Sequence, residues 1–484
     1  MPDAPKQAAA VASEPGQRYF SLLLAFAAAL RLYDLGGKQL WVDEIMQAMA
    51  TSPRLSLLEV LRAATGHVGM APLDYIIQHY VAVALGTSEF ALRLPAAVFG
   101  TATVAAVYCL FRKLLDSRVA FLCAALYAVY PLHHHYSQAG RPYALFVLLT
   151  VLSWLAYCRV LEHGSRSNWI LYAAANTVLL YSQYFGMFVL ASQALTSLAM
   201  LSPRLRDSSP FSRKIDLRFL VIQTFAIVAS AALLAPWVVY AIGGIRGTPS
   251  MPAQFGPRLA LSFIQELGDG SHPLAWILIF LAVLGARKLE REKSHGLLWL
   301  LLIWLIMPIP LIFFLLWLRD YFFAIRHFLF ITPALFALVS LGITDLSEQW
   351  ISVTSRQRVK WATAGIVAGI SLLVIGLHVP DTREDFRGAA QYLSQNVAPG
   401  DIVIAPHIEG ILSYYYPRIL EHVQPLAALT NRPRDASSGA KIILVDTAYM
   451  PVADRQFVQS ALRTVPARET IHLQKVEIAE VSSR

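Results

Sequence analysis

Two adjacent carboxylates, Asp43 and Glu44, follow Leu40-Trp41-Val42 just past the first apolar stretch of the chain. Such a pair suits general-base chemistry, in which one carboxylate takes a proton from a nucleophile and the other orients it or the nucleophile. The competing use is a helix cap, with Asp43 accepting from the backbone amides that open the run Ile45-Met46-Gln47-Ala48-Met49. A full capping box would want Glu or Gln three residues on, where Met46 stands. The two uses are compatible.

A second polar cluster runs from Pro131 through His133-His134-His135-Tyr136-Ser137-Gln138 to Arg141-Pro142-Tyr143. On a helix each residue turns by about 100°, so His133 and His135 point about 200° apart, a poor spacing for a shared metal ion. Arg141, beside a Tyr-rich turn at a membrane surface, suits a phosphate, a carboxylate or a lipid headgroup. A third cluster, Arg326-His327, opens the segment that continues to Thr332-Pro333. An Arg-His pair there can hold a departing phosphate by charge and hydrogen bonds, or simply anchor a helix end.

The elements that must position these groups are membrane helices. Of 484 residues, 56% are hydrophobic and 15% charged, which excludes an ordinary soluble protein and points to an α-helical polytopic membrane protein. Apolar runs of roughly 17 to 25 residues recur. Spans are expected at 19–35, 91–111, 119–136, 142–161, 168–183, 185–201, 219–241, 273–286, 296–318, 327–343 and 361–378, eleven in all. With the N-terminus inside, nineteen Lys and Arg fall on cytoplasmic segments and ten outside up to residue 378, as the positive-inside rule requires. The basic excess is topological, so nucleic acid is not implied. Cys109, Cys123 and Cys158 all fall inside spans, leaving no disulfide framework. Arg31, at the end of the first span, is expected to snorkel to the outer headgroups.

Residues 1–18 read as a disordered cytoplasmic tail, and 19–378 as the transmembrane domain. The first extracytoplasmic loop, 36–90, contains 44–50, 54–64 and 73–85, each with helical spacing but too short or too polar to span; they suit helices lying in the interface plane. The loop 242–272, with Arg246, Arg258, Glu266, Asp269 and His272, is a substrate loop or a plain connector. After eleven spans, 379–484 lies outside as a small α/β domain, with helices over 385–397 and 452–465 and buried strands at 401–404 and 441–445. No Gly-rich phosphate loop, nucleophile elbow or interrupted inverted repeat is present, so transport is the weaker class.

Leu40-Trp41-Val42-Asp43-Glu44, Pro72-Leu73-Asp74-Tyr75, Ala91-Leu92-Arg93-Leu94-Pro95, Tyr136-Ser137-Gln138 with Arg141-Pro142-Tyr143, and Arg326 before Pro333 together resemble the GT-C glycosyltransferases related to family 39. These include protein mannosyltransferases, lipid A aminoarabinose transferases and galacturonosyltransferases of the lipopolysaccharide core. The resemblance covers roughly residues 19–343, and Arg383-Glu384-Asp385-Phe386 resembles the start of the outer domain in bacterial members.

The resemblance implies inverting transfer of a hexosyl or pentosyl unit from a polyprenyl-phosphate donor to a lipid, glycan or protein acceptor on the outer face of the inner membrane. Asp43 would then be the base and Glu44 its orienting neighbour. Arg141, Arg326, His327, His135, Tyr143 and Arg93 would bind substrate. No cofactor is required by these residues, and a divalent cation stays open as one. Two departures stand out: Ala139-Gly140 replace the acidic residue often found before Arg-Pro-Tyr, and Ala71 replaces the Lys of aminoarabinose transferases, which disfavours that sugar. A non-catalytic protein that binds or exports a lipid-linked sugar is the alternative.

Overall fold

The computed structural model describes residues 15–66, 70–211, 215–242, 257–318, 324–348, 352–377, 384–429, 441–447, 454–458, 460 and 467–481. Most of the expected tail, Arg246, the boundary at 379 and the turn 319–323 before Arg326 lie outside the described residues. The chain divides into two compact units. One comprises 1–33, 64–74 and 94–376; the other comprises 34–63, 75–93 and 377–484.

The first unit is a bundle of apolar helices, and the chain is a multi-pass membrane protein. Among the described residues seven helices are long and apolar enough to cross a bilayer: Glu89–Leu114, Tyr143–Glu162, Leu217–Ile242, His272–Arg291, His295–Leu318, Ile325–Glu348 and Val353–Leu377. The other expected spans also fall on helices, but shorter or more polar ones: Tyr19–Leu32, Ser117–Ala128, Arg166–Ser182 and Gly186–Ala199. The expected span 119–136 is broken after Ala128, and a separate helix Pro131–Ser137 follows. Pro131 is the cause, since its ring cannot continue the preceding helix but suits the first turn of a new one.

Burial ranks these helices: the Ile325–Glu348 window is 89% buried and central, whereas that of Val353–Leu377 is 22% buried and peripheral. The central helix packs closely on His272–Arg291 because Gly285 and Gly342 face each other's backbones. A methyl at Gly285 would collide with the Leu338 carbonyl, and one at Gly342 with that of Leu281. Lys288–Glu348 and Arg291–Asp345 ion pairs close one end of this pair. Buried side chains also bond across helices, Tyr172 to Gln193, Gln193 to Ser153 and Ser153 to Asn176, which satisfies polar groups that lipid could not.

The second unit is built on a four-stranded sheet: β1 (Ile402–Ile404), β2 (Ile442–Thr447), β3 (Ala467–Leu473) and β4 (Val476–Val481), in the order β1-β2-β4-β3. β1 runs parallel to β2 with Ile402 opposite Ile442, and β4 is antiparallel to both β2 and β3. The expected strands and the helix Phe386–Asn396 are present, and 454–458 of the expected 452–465 helix are described and helical. The hairpin β3–β4 is an addition to the sequence reading. Its two-residue turn is made by Gln474 and Lys475, the latter at φ 54°.

One core of this unit holds Val403, Ile443, Val445 and Ile478 with Phe386, Leu393 and Leu412. Leu40, Ile45 and Ala48, from the first loop, and Leu92, in the first turn of Glu89–Leu114, belong to the same core. The compact body is therefore larger than the 379–484 stretch the composition suggested. Ile45 and Ala48 lie three residues apart on one face of the helix Val42–Ala50, and that face, too short to span, is buried on the C-terminal segment. Leu40 N–H donates to Tyr415 Oη at 3.2 Å, Tyr414 Oη to the Thr87 carbonyl at 3.2 Å, and Arg387 to Glu89 and the Gly37 carbonyl. Burial pushes the Tyr414 phenol up to about 12, so it remains a donor at neutral pH.

Candidate active site

Asp43 sits in the first turn of the helix Val42–Ala50, behind Trp41, whose extended backbone (φ −88°, ψ 168°) starts the helix. The cap is Trp41 and not Asp43, which corrects the capping use considered above. Glu44, third residue of the helix, returns its Oε2 to the Trp41 N–H at 3.3 Å. Asp43 is half-buried, whereas Glu44 is 2% exposed.

The partner of Glu44 is Arg93. Its Nε donates to Oε1 at 2.9 Å and its Nη2 to Oε2 at 2.8 Å, a bidentate pair with both side chains 1% exposed. Nη1 donates to the Leu35 and Lys38 carbonyls at 3.1 and 2.7 Å, and Nη2 also to that of Gln39 at 2.8 Å. A guanidinium has five donors, and all five are engaged here. Arg93, taken above as a substrate contact, is thus a clamp on the loop 35–39 and the first turn of the Asp43 helix. Glu44 serves the same clamp, which holds Asp43 by its immediate neighbour.

The remaining candidates lie in the first unit. Arg141 ends the turn after Pro131–Ser137, is 9% exposed, and precedes Tyr143, which opens the helix Tyr143–Glu162. A 3-10 segment, Ile325–Ile331, leads into the central helix and carries Arg326 and His327. The Arg326 guanidinium lies 5.7 Å from the centroid of the Tyr143 ring, and Tyr136 packs edge-on against Tyr143 at 5.0 Å. His327 is buried against Phe185 at 4.9 Å. His135, half exposed, stands 3.5 Å from Asp269. Asp269 and Gly270 both adopt left-handed backbone, φ 53° and 85°, as a tight turn before the helix His272–Arg291.

Beneath this cluster Arg31 is fully buried, which corrects the snorkelling expectation. It donates to the carbonyls of Ala27 and Ala128 and, at 3.0 Å, to His133 Nδ1. Ala128 ends its helix, so the guanidinium meets the negative end of a helix dipole. Gly100 leaves room for it: a Cβ there would lie 3.0 Å from Arg31 Nε. Gln138 also donates to the Arg31 and Tyr33 carbonyls. These bonds fix Pro131–Ser137, and so Tyr136, in place.

The eight candidate residues therefore divide: Asp43, Glu44 and Arg93 in one unit, His135, Arg141, Tyr143, Arg326 and His327 in the other. Tyr136 and Asp269 join the second group without having been singled out as site residues. Their signals were present, an aromatic seven residues before Tyr143 and an Asp-Gly turn pair. Among the described residues no three His, Cys, Asp or Glu are grouped so as to hold a metal ion.

A family model described as dolichyl-phosphate-mannose-protein mannosyltransferase matches residues 71–240, which include Arg93, His135, Arg141 and Tyr143. Comparison with curated protein sequences gives no match. Among solved structures the chain resembles ArnT from Cupriavidus metallidurans in the apo state at 12% identity and TM-score 0.61, covering 96% of this chain and 98% of that one. The same protein bound to undecaprenyl phosphate gives 12% identity and TM-score 0.59 over the same shares of each chain. The apo oligosaccharyltransferase of Archaeoglobus fulgidus follows at 11% identity and TM-score 0.55, covering 90% of this chain and 70% of that one. These likenesses establish the fold: the chain is a GT-C-fold membrane protein, and its residues 71–240 are similar to the mannosyltransferase family.

Proposed function

We propose that the protein transfers a sugar from a polyprenyl-phosphate carrier to an envelope lipid, glycan or protein on the outer face of the plasma membrane. The observation that carries this reading is the likeness over nearly the whole chain to a protein solved with undecaprenyl phosphate bound. The acceptor hydroxyl attacks the anomeric carbon while the Asp43 carboxylate takes its proton. The bond from that carbon to the phosphate oxygen breaks, its electron pair leaves with the polyprenyl phosphate, and the anomeric centre inverts. Negative charge grows on the departing oxygen, and Arg141 and Arg326 meet it by charge-assisted hydrogen bonds. Tyr143 lends Arg326 a cation–π neighbour, its ring centroid 5.7 Å from the guanidinium. No step is assigned to a cation.

Deleting the gene and comparing envelope lipids and glycans by mass spectrometry should reveal one missing glycosyl unit. The mass of that unit identifies the sugar, and its attachment point the acceptor. An envelope unchanged in every glycan, lipid and glycosylated protein would overturn the proposal. For the donor grip, Arg326→Ala should lower kcat/KM for the lipid-linked sugar by about 10- to 150-fold, the worth of one charge-assisted hydrogen bond. Arg326→Lys retains the charge but not the planar fork over Tyr143, so an intermediate loss is expected. Equal rates for wild type and Arg326→Ala would remove this residue from the site.

A further inference from the structure

Polar side chains that the transfer chemistry does not use gather where β1 and β2 end. β1 and β2 are parallel neighbours, but the chain leaves their carboxyl ends toward opposite faces. After β1 it enters the helix Glu409–Tyr415, whose Ile411 and Leu412 pack with Val403, Ile443 and Val445 on one face. After β2 it reaches the helical residues 454–458, whose Val458 packs with Ile402, Ile404, Ile442 and Leu444 on the other. Adjacent parallel strands whose connections diverge in this way leave a crevice beyond their carboxyl ends, where open α/β sheets bind ligands.

Among the described residues a hydrogen bond joins the β1 and β2 sides. His407, after β1, holds a left-handed backbone at φ 65° and donates from Nε2 to Asp454 Oδ2 at 2.9 Å. At the end of β2, Asp446 has a buried Oδ1 with no hydrogen-bond partner among the described residues, and Arg455 Nε stands 4.0 Å away. Arg455 itself donates to the Thr447 carbonyl at 2.8 Å. Glu409, on the β1 side, also buries an Oε2 with no partner among the described residues. Burial raises the Asp446 carboxyl above its ordinary range, opposed by the Arg455 charge and the Thr447 backbone amide.

Unsatisfied buried acceptors call for a ligand that brings hydroxyl or amine donors. Phe457, three residues after Asp454 and so on the same side of its helix, is 39% exposed. An exposed ring on the helical stretch that carries Asp454 and Arg455 suits a polyhydroxylated ring with one apolar face. The geometry points to a saccharide-binding site at the carboxyl ends of β1 and β2, formed by His407, Glu409, Asp446, Asp454, Arg455 and Phe457. Three carboxylates against one arginine favour neutral and amino sugars over uronic acids. This inference does not depend on the proposed transfer reaction.

The test is saturation-transfer NMR on the full-length protein in a zwitterionic detergent without a sugar headgroup. The probes are mannotriose, the tetramer of N-acetylglucosamine, a glucosamine trimer and a galacturonic acid trimer. Signal is expected from at least one of the first three and none from the uronate. Asp454→Asn and Phe457→Ala should each weaken that binding by about tenfold, as for one lost polar or stacking contact. Asp43→Asn should leave it unchanged, which separates this site from the catalytic one. Absence of signal from all four probes would overturn the inference, as would binding unaltered in both outer-domain variants.

Discussion

Asp43→Asn should reduce sugar transfer by about 100-fold or more at unchanged membrane abundance, the usual worth of a positioned general base. Asparagine matches aspartate in size and hydrogen-bonding reach but cannot take the acceptor proton. The structure makes the substitution a clean probe, because the helix start is secured by Glu44 Oε2 on the Trp41 N–H and by Arg93. Removing one first-turn charge costs the helix only about 0.3–1 kcal/mol. The measurement is the initial rate with a labelled polyprenyl-phosphate sugar, at matched protein levels, for wild type and Asp43→Asn. An active Asp43→Asn protein would sink the base mechanism and favour a role in binding or exporting the lipid-linked sugar.

Breaking the Glu44–Arg93 pair is expected to have the largest effect on stability. Both side chains are 1% exposed, so solvent does not screen the pair, and loss of one partner strands the other as a buried charge at about 3–5 kcal/mol. Arg93→Ala additionally frees the carbonyls of Leu35, Lys38 and Gln39. Thermal inactivation in detergent should move to markedly lower temperature for Arg93→Ala and Glu44→Ala. The double variant Glu44→Leu/Arg93→Met, which leaves no charge stranded, should be less damaged than the two single losses together. Single variants within about 0.5 kcal/mol of wild type would refute the clamp, since that is the scatter of ordinary surface substitutions.

Much of the membrane unit was legible because apolar runs are long and their period is simple. Where the reading slipped, a local signal had been outweighed by a regional one. Pro131 interrupts an apolar run whose average still resembles one span, so the break after Ala128 was hidden by its neighbours. Arg31 at a helix end looks like a snorkelling side chain, because nothing nearby in sequence announces Ala128 and His133 as its acceptors. The same holds for the site. Asp43, Arg141 and Arg326 stand out by residue type, but the capture of Arg93 by Glu44 spans 49 positions and depends on a fold that spacing does not encode. The Arg326–Tyr143 contact is likewise a tertiary fact. The hairpin β3–β4 was missed for a different reason: charges alternate through Arg468-Glu469-Thr470-Ile471-His472, and such a strand resembles a solvated loop until its partner is known.

The shared core of the first loop and the C-terminal segment has a temporal meaning. Leu40, Ile45 and Ala48 leave the ribosome more than three hundred residues before Phe386, Leu393 and Val403, the side chains that bury them. Contacts so remote along a chain form late, because most of the polypeptide must be synthesised and inserted before they can close. The Asp43 helix therefore stays without this apolar support until the chain from Phe386 onward has been made. A nascent chain arrested before Phe386 would hold its spans in the bilayer and the Asp43 helix clamped by Arg93 but without this apolar support. The packing of the Asp43 helix is in this sense borrowed from chain made more than three hundred residues later.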